Sequence, residues 1–128
     1  MAIHHLPLDS EEQLLPVDQR RAGLAGHGVA LSMLWQELVG DRGWSPEQLW
    51  EALCWGPARF LGLEQETLEP GSRRWLLFDP EIQWSWGAST CASRAANQPC
   101  WDRRLQGAVV ASGLIDPIRW WVREDRSP

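Results

Sequence analysis

The 128 residues include no tyrosine and only two phenylalanines, so tryptophan supplies the other ten aromatic side chains. Rings of that size contribute much buried area, and most of them are expected to pack rather than to bind. Long apolar runs are also missing: no window approaches eighteen uninterrupted apolar residues, so no transmembrane helix is expected. The opening MAIHHLPLD lacks the basic segment and apolar run of a secretory signal. Cysteine is scarce and odd in number, and Cys54, Cys91 and Cys100 have no CxxC spacing, which argues against a disulfide framework or a zinc knuckle. A soluble, unexported, cytoplasmic chain is the expectation. Net charge is −5, and the basic residues are scattered except for the pairs Arg20-Arg21, Arg73-Arg74 and Arg103-Arg104. Neither nucleic acid nor a membrane is expected as a partner.

What is present suits one small domain, with 44% hydrophobic residues to build a core. Residues 1–5 read as the end of something extended, and residues 6–27 as loop punctuated by Pro7, Pro16, Gly23 and Gly26. From Gly28 the pattern turns helical, with Leu31, Leu34, Trp35 and Leu38 on one face until Gly40 and Gly43. A second helix is signalled by Ser45 as cap, Pro46 at the first position and Gln48 three residues after the cap; Leu49, Ala52 and Leu53 line its face. Pro57 is expected to restart a short helix that closes at Gly62. Thereafter the texture is that of strands. Trp75–Phe78 is stopped by Asp79-Pro80, and Ile82, Trp84 and Trp86 alternate with polar residues. Val109–Ala111 is turned by Ser112-Gly113, and a last strand covers Ile118–Val122. The tail Arg123–Pro128 reads as disordered. Helices first and strands afterwards argue for an α+β chain rather than alternating βαβ units.

Several clusters admit two readings. His4 and His5, followed by Asp9, Glu11 and Glu12, are either a cation site or polar loop residues; zinc needs three or four converging ligands, and only His27 is available to join the pair. The acidic trio also reads as a solvated loop face. Gly23-Leu24-Ala25-Gly26 either presents backbone N–H groups to a carboxylate or is a flexible turn before a helix. Arg20 and Arg21 are either a bidentate clamp or surface arginines. Trp35, Trp50 and Trp55 either stack on a ligand ring or pack.

The order of pieces resembles the C-terminal end of the dihydroorotases, in the cyclic amidohydrolase superfamily. That family's tail commonly reads NPA-x-x-LGL, then a G-x-x-AD-LVLFDP strand, then N-(T/S)-PF-x-G with L-x-G-x-V. Here Gly56-Pro57-Ala58-Arg59-Phe60-Leu61-Gly62-Leu63 matches the first element and Leu76-Leu77-Phe78-Asp79-Pro80 the second. Asn97-Gln98-Pro99-Cys100 followed by Leu105-Gln106-Gly107 matches the third. Upstream, Ile3 to Asp9 occupies the family's T-D-H-A-P-H-S loop, and Gly23 to Val29 its G-(I/V)-x-G-L-E-T loop. His5, Pro7, Gly23 and Gly26 are kept, whereas His4 stands for the aspartate, Leu8 for the second histidine and Gly28 for the glutamate.

The resemblance implies a C-terminal fragment of a TIM-barrel amidohydrolase, with two or three helices followed by a small antiparallel β segment. Residues 1–63 would supply the end of barrel strand 8, the active-site loop and covering helices; residues 64–123 would supply part of a C-terminal β-sandwich, and 124–128 a tail. The family interconverts dihydroorotate and carbamoyl aspartate in pyrimidine biosynthesis, usually with zinc, whose bound water becomes a nucleophile near neutral pH. By resemblance His4 stands at the catalytic aspartate, and His5, Gly23 and Leu24 at substrate-binding positions. A neutral imidazole has one lone pair and cannot both hold metal and collect a proton, and this chain supplies neither the H-x-H nor the middle-strand ligands. No metal site is therefore assigned to it, and a chain without catalysis of its own is expected. A barrel needs roughly 200 residues or more. Other readings are a noncatalytic structural or regulatory partner of aspartate transcarbamoylase, with Trp120 and Trp121 on its surface, and a fragment of a hydantoinase-like or allantoinase-like hydrolase. Leu31, Leu34, Leu38, Leu49 and Leu53 would lack their sheet in isolation, so self-association or a different packing against residues 75–122 is expected.

Overall fold

The computed structural model describes residues 1–72, 74–114 and 119–122. Its first element corrects the expectation of uninterrupted loop. Helix α1, Ser10–Leu14, is a single turn fixed by a capping box. The Asp9 carboxylate accepts from the Glu12 backbone N–H at 2.7 Å, while the Glu12 side chain accepts from the Asp9 N–H at 3.2 Å. Two of the orphan donors of a helix start are thereby satisfied reciprocally, and two of the three suspected cation ligands are engaged in local structure.

Helix α2, His27–Leu34, runs directly into wider π-helical turns over Trp35–Asp41. Helix α3, Pro46–Trp50, starts as its sequence signal requires: Ser45 caps the Gln48 N–H, and Gln48 reaches back to the Ser45 N–H. No break follows. The short helix expected at Pro57 is present as α4, Gly56–Phe60, with Pro57 in its first turn and Gly62 just beyond its end, but a π-helical stretch, Glu51–Trp55, leads straight into it without a break. The reason is steric, since proline has no N–H and its ring needs room against the preceding turn, which π-helical widening provides.

Three antiparallel strands follow in the order β1-β2-β3: β1 Trp75–Ser85, β2 Arg104–Leu114 and β3 Arg119–Val122. The fold is α+β, helices before sheet. Two expectations fail here. Asp79-Pro80 does not end a strand, because β1 passes through it with an irregularity in register between Asp79 and Gln83. A bulge on an edge strand tolerates a residue that cannot donate to the ladder. Nor do Ser112 and Gly113 form a turn; they pair with Leu76 and Trp75, and β2 is longer than Val109–Ala111 alone. The expected start of the last strand at Ile118 and the tail Arg123–Pro128 lie outside the described residues.

Two clusters join helices to sheet. Val29, Trp86 and Leu105 are buried together, with Trp84, Cys91 and Cys100 packed on them. Trp35 meets the Phe78 ring at 5.0 Å and Trp50 at 6.5 Å, so these two tryptophans have packing partners inside the fold. Leu49 is fully buried, and Leu31, Leu34, Leu38 and Leu53 are half-buried. The expected leucine face therefore finds partial cover, while the most buried positions of α2 are Val29 and Ser32.

Gly107, the glycine of the Leu-Gln-Gly motif, shows why that residue is needed. Its φ is +81°, and a Cβ there would lie 2.4 Å from the Phe78 ring. Its carbonyl accepts from the Ser32 hydroxyl at 2.6 Å and from the Trp84 indole at 2.9 Å, tying α2 to both β1 and β2.

Candidate functional site

The two loops that carry the altered motifs lie side by side, and a third loop holds them. The Leu6 N–H donates to the Leu24 carbonyl at 3.1 Å, and the Ala96 N–H to the Leu8 carbonyl at 2.8 Å. Asn97 completes the junction. Its Oδ1 accepts from the Leu8 N–H at 2.9 Å, its Nδ2 donates to the Leu6 carbonyl at 2.8 Å and to the Gly23 carbonyl at 3.0 Å, and its own carbonyl accepts from the Ala25 N–H at 3.2 Å. Only 8% of Asn97 is exposed. Each of these backbone groups would otherwise lose its partner, at about 1–3 kcal/mol apiece where buried. Asn97 belongs to the Asn-Gln-Pro-Cys motif, whose pattern along the chain does not reveal this role. The available signal was chemical: a primary amide offers donor and acceptor at once and suits the joining of several irregular segments.

His4 is exposed, at the surface of the first loop. His5 is half-buried, and its ring stacks on His27 with centroids 3.8 Å apart and planes within 5°. The His5 Nδ1 also accepts from the His27 backbone N–H at 3.4 Å. Gly23 is half-buried under Asn97, and Leu24 is exposed. Thus His5, Gly23 and Leu24 share one junction. The resident metal of the family does not fit these residues. Imidazole lone pairs lie in the ring plane, so two parallel stacked rings cannot converge on one ion at about 2.0–2.1 Å. Among the described residues no group of three or more His, Cys, Asp or Glu side chains is placed to hold a metal.

The other altered positions are occupied in a definite way. Leu8 is 3% exposed and fills the junction beneath Asn97. Gly28 faces the Trp86 indole, where an added Cβ would lie 2.5 Å from Cη2. No carboxylate-bearing side chain fits at residue 28 unless that indole moves. A depression of about 430 Å³ opens beside the junction, lined by Arg20, Arg21, Gly23, Leu24, Asn97 and Gln98 among others. The carboxylate clamp is only partly available there: Arg21 is ion-paired with Glu12, and the Arg20 guanidinium donates to the Leu15 carbonyl at 2.9 Å.

Curated proteins similar in sequence to this chain are named as dihydroorotases or dihydroorotase-like. The chain is 35% identical over 111 residues to a probable dihydroorotase-like protein of Synechocystis, covering 87% of the chain and 24% of that relative. It is 32% identical over 119 residues to a dihydroorotase of Pelotomaculum thermopropionicum (90% and 28%), and 26% over 121 residues to one of Solibacter usitatus (94% and 28%). Over most of its length the chain is similar to one stretch of these dihydroorotases and is dihydroorotase-like there. It spans about a quarter of the length of these relatives. No family model matches it. No helix among the described residues of this dihydroorotase-like chain is long and apolar enough to cross a membrane.

Proposed function

We propose that this chain is the C-terminal part of a dihydroorotase-like protein of pyrimidine biosynthesis and has no hydrolytic activity by itself. Residues 1–63 then correspond to the end of the last barrel strand, its loop and the helices that cover a TIM barrel, and residues 64–123 to part of a flanking β-sandwich, in a cytoplasmic setting. The observation that carries the reading is the Trp86 indole standing where a side chain at residue 28 would have to go. The buried Leu8 and the His5–His27 stack support it, because each commits a motif position to packing rather than to substrate or ion.

The family reaction needs a polarised carbonyl and an activated water, supplied by metal held on several strand ends. This chain contributes shape and loop geometry only. The test is direct. Zinc content of the purified chain, measured by mass spectrometry, is expected to be well below stoichiometric, and dihydroorotate turnover is expected to equal the buffer blank. Stoichiometric zinc with turnover that a chelator abolishes would overturn the proposal.

A further inference from the structure

Helix α2 begins without help from its own cap. Gly26 stands at the N-cap and makes no side-chain bond, so that position takes none of the free N–H groups of the helix start. His5 does so from the first loop. Its Nδ1 accepts from the His27 N–H at 3.4 Å, while its ring lies flat on the His27 ring with 3.8 Å between centroids. An acceptor at Nδ1 puts the proton of a neutral imidazole on Nε2. A second proton would turn that acceptor into a donor aimed at a donor, and would set a cation at the positive end of the helix dipole. The ring stacked on it is a second imidazole, which gains charge in the same pH range. The surroundings do not offset such a charge. Helix α2 has no ionisable side chain besides His27, and Leu6, Gly23, Leu24 and Asn97 at the junction, like Trp86 over Gly28, have none. Along the first loop, His4 is exposed, Asp9 and Glu12 engage each other in the capping box, and Glu12 also pairs with Arg21. Among the described residues neither ring is ion-paired.

We propose that His5 is an acid-sensitive cap of α2, which holds the first loop on the helix start while its imidazole is neutral and releases it on protonation. The Asn97 hydrogen bonds contain no titrating group and stay closed, so acid frees residues 3–5 and the start of α2 rather than both loops. Imidazole in water gains its proton at about pH 6.5. The closed form excludes that proton and the open form accepts it, so the contact contributes fully well above that pH and is lost below it, by up to about tenfold per pH unit.

The test is hydrogen exchange of the His27 amide in the full chain, followed by NMR and divided by the intrinsic exchange rate at each pH. Its protection is expected to fall about tenfold between about pH 7.5 and 5.5. The Ala25 amide, which donates to the Asn97 carbonyl, is expected to keep its protection over the same range. His5→Asn supplies an amide oxygen that accepts but does not titrate, and is expected to abolish the fall at His27. His27→Phe keeps a ring on the His5 face and the same backbone N–H, and is expected to retain the fall. Protection at His27 that does not change with pH overturns the proposal, as does a fall that survives His5→Asn or disappears in His27→Phe. If His5→Asn leaves the amide unprotected at both pH values, His27→Phe decides alone: a retained fall upholds the cap and a lost one overturns it.

Discussion

The Asn97 junction and the Phe60 end are built on opposite terms. At the junction three irregular segments are joined by one buried amide, and the backbone groups it touches are satisfied within the chain. At the other end, Phe60 and Leu61 stand in solvent beside a groove nothing among the described residues fills, and Leu63 is exposed after them. Polar satisfaction is local, requiring only a few well-placed atoms. Apolar burial needs area, which a short chain supplies only in part. The difference explains how a stretch can keep its loop geometry while leaving an apolar end uncovered.

That contrast can be broken most strongly at residue 97. Asn97→Asp keeps the shape but turns a carboxylate toward the Leu6 and Gly23 carbonyls, and is expected to cost about 4 kcal/mol in denaturant unfolding. A cost below about 1 kcal/mol would show that the junction is not what holds the loops. Gly107→Ala is next, at about 3 kcal/mol, from the positive φ and the Phe78 ring over the site. His27→Ala removes the stack on His5 and should cost about 1 kcal/mol, with faster amide exchange in residues 3–8 as its local signature. Phe60→Ser should fall within about 0.5 kcal/mol in the isolated chain, and a larger loss would mean that end is already covered.

The smallest effect is a pH dependence. Hydrogen bonding to the Ser45 side chain, helped by the backbone, holds Glu47 below the usual glutamate range. A lowered folded-state value stabilises above the unfolded pKa, and that contribution is lost as pH falls through the folded one. Glu47→Gln should remove this slight acid-side slope, lowering the melting temperature slightly at neutral pH and leaving the value below the folded pKa almost unchanged.

The elements that were legible in the chain are those fixed by neighbours in sequence. Ser45, Pro46 and Gln48 form the cap their spacing demands, because each partner is within one turn. The Asp9–Glu12 box has the same logic, but a run of carboxylates in a loop reads equally as a solvated face or a cation group, and nothing in the run itself marks a helix turn. Pro57 and Pro80 misled for a different reason. Proline signals a break, but a π-helical widening and a bulged edge strand each accommodate it, and neither leaves a mark in local composition. Around the junction, His5, Gly23 and Leu24 stand at motif positions readable along the chain, whereas Asn97 as its fastener and Trp86 above Gly28 come from distant parts of the chain.

By itself the sequence determined the Ser45-capped helix start, the succession of helices before strands, and the motif order by which the chain resembles the dihydroorotases. Those depend on residues a few positions apart or on the order of words along the chain. Only the tertiary structure decided that His5 would stack on His27, that an indole would occupy the space beside Gly28, and that Phe60 would be left uncovered. Such outcomes depend on which side chains best fill a given volume together, and that volume is shared by segments the sequence keeps far apart.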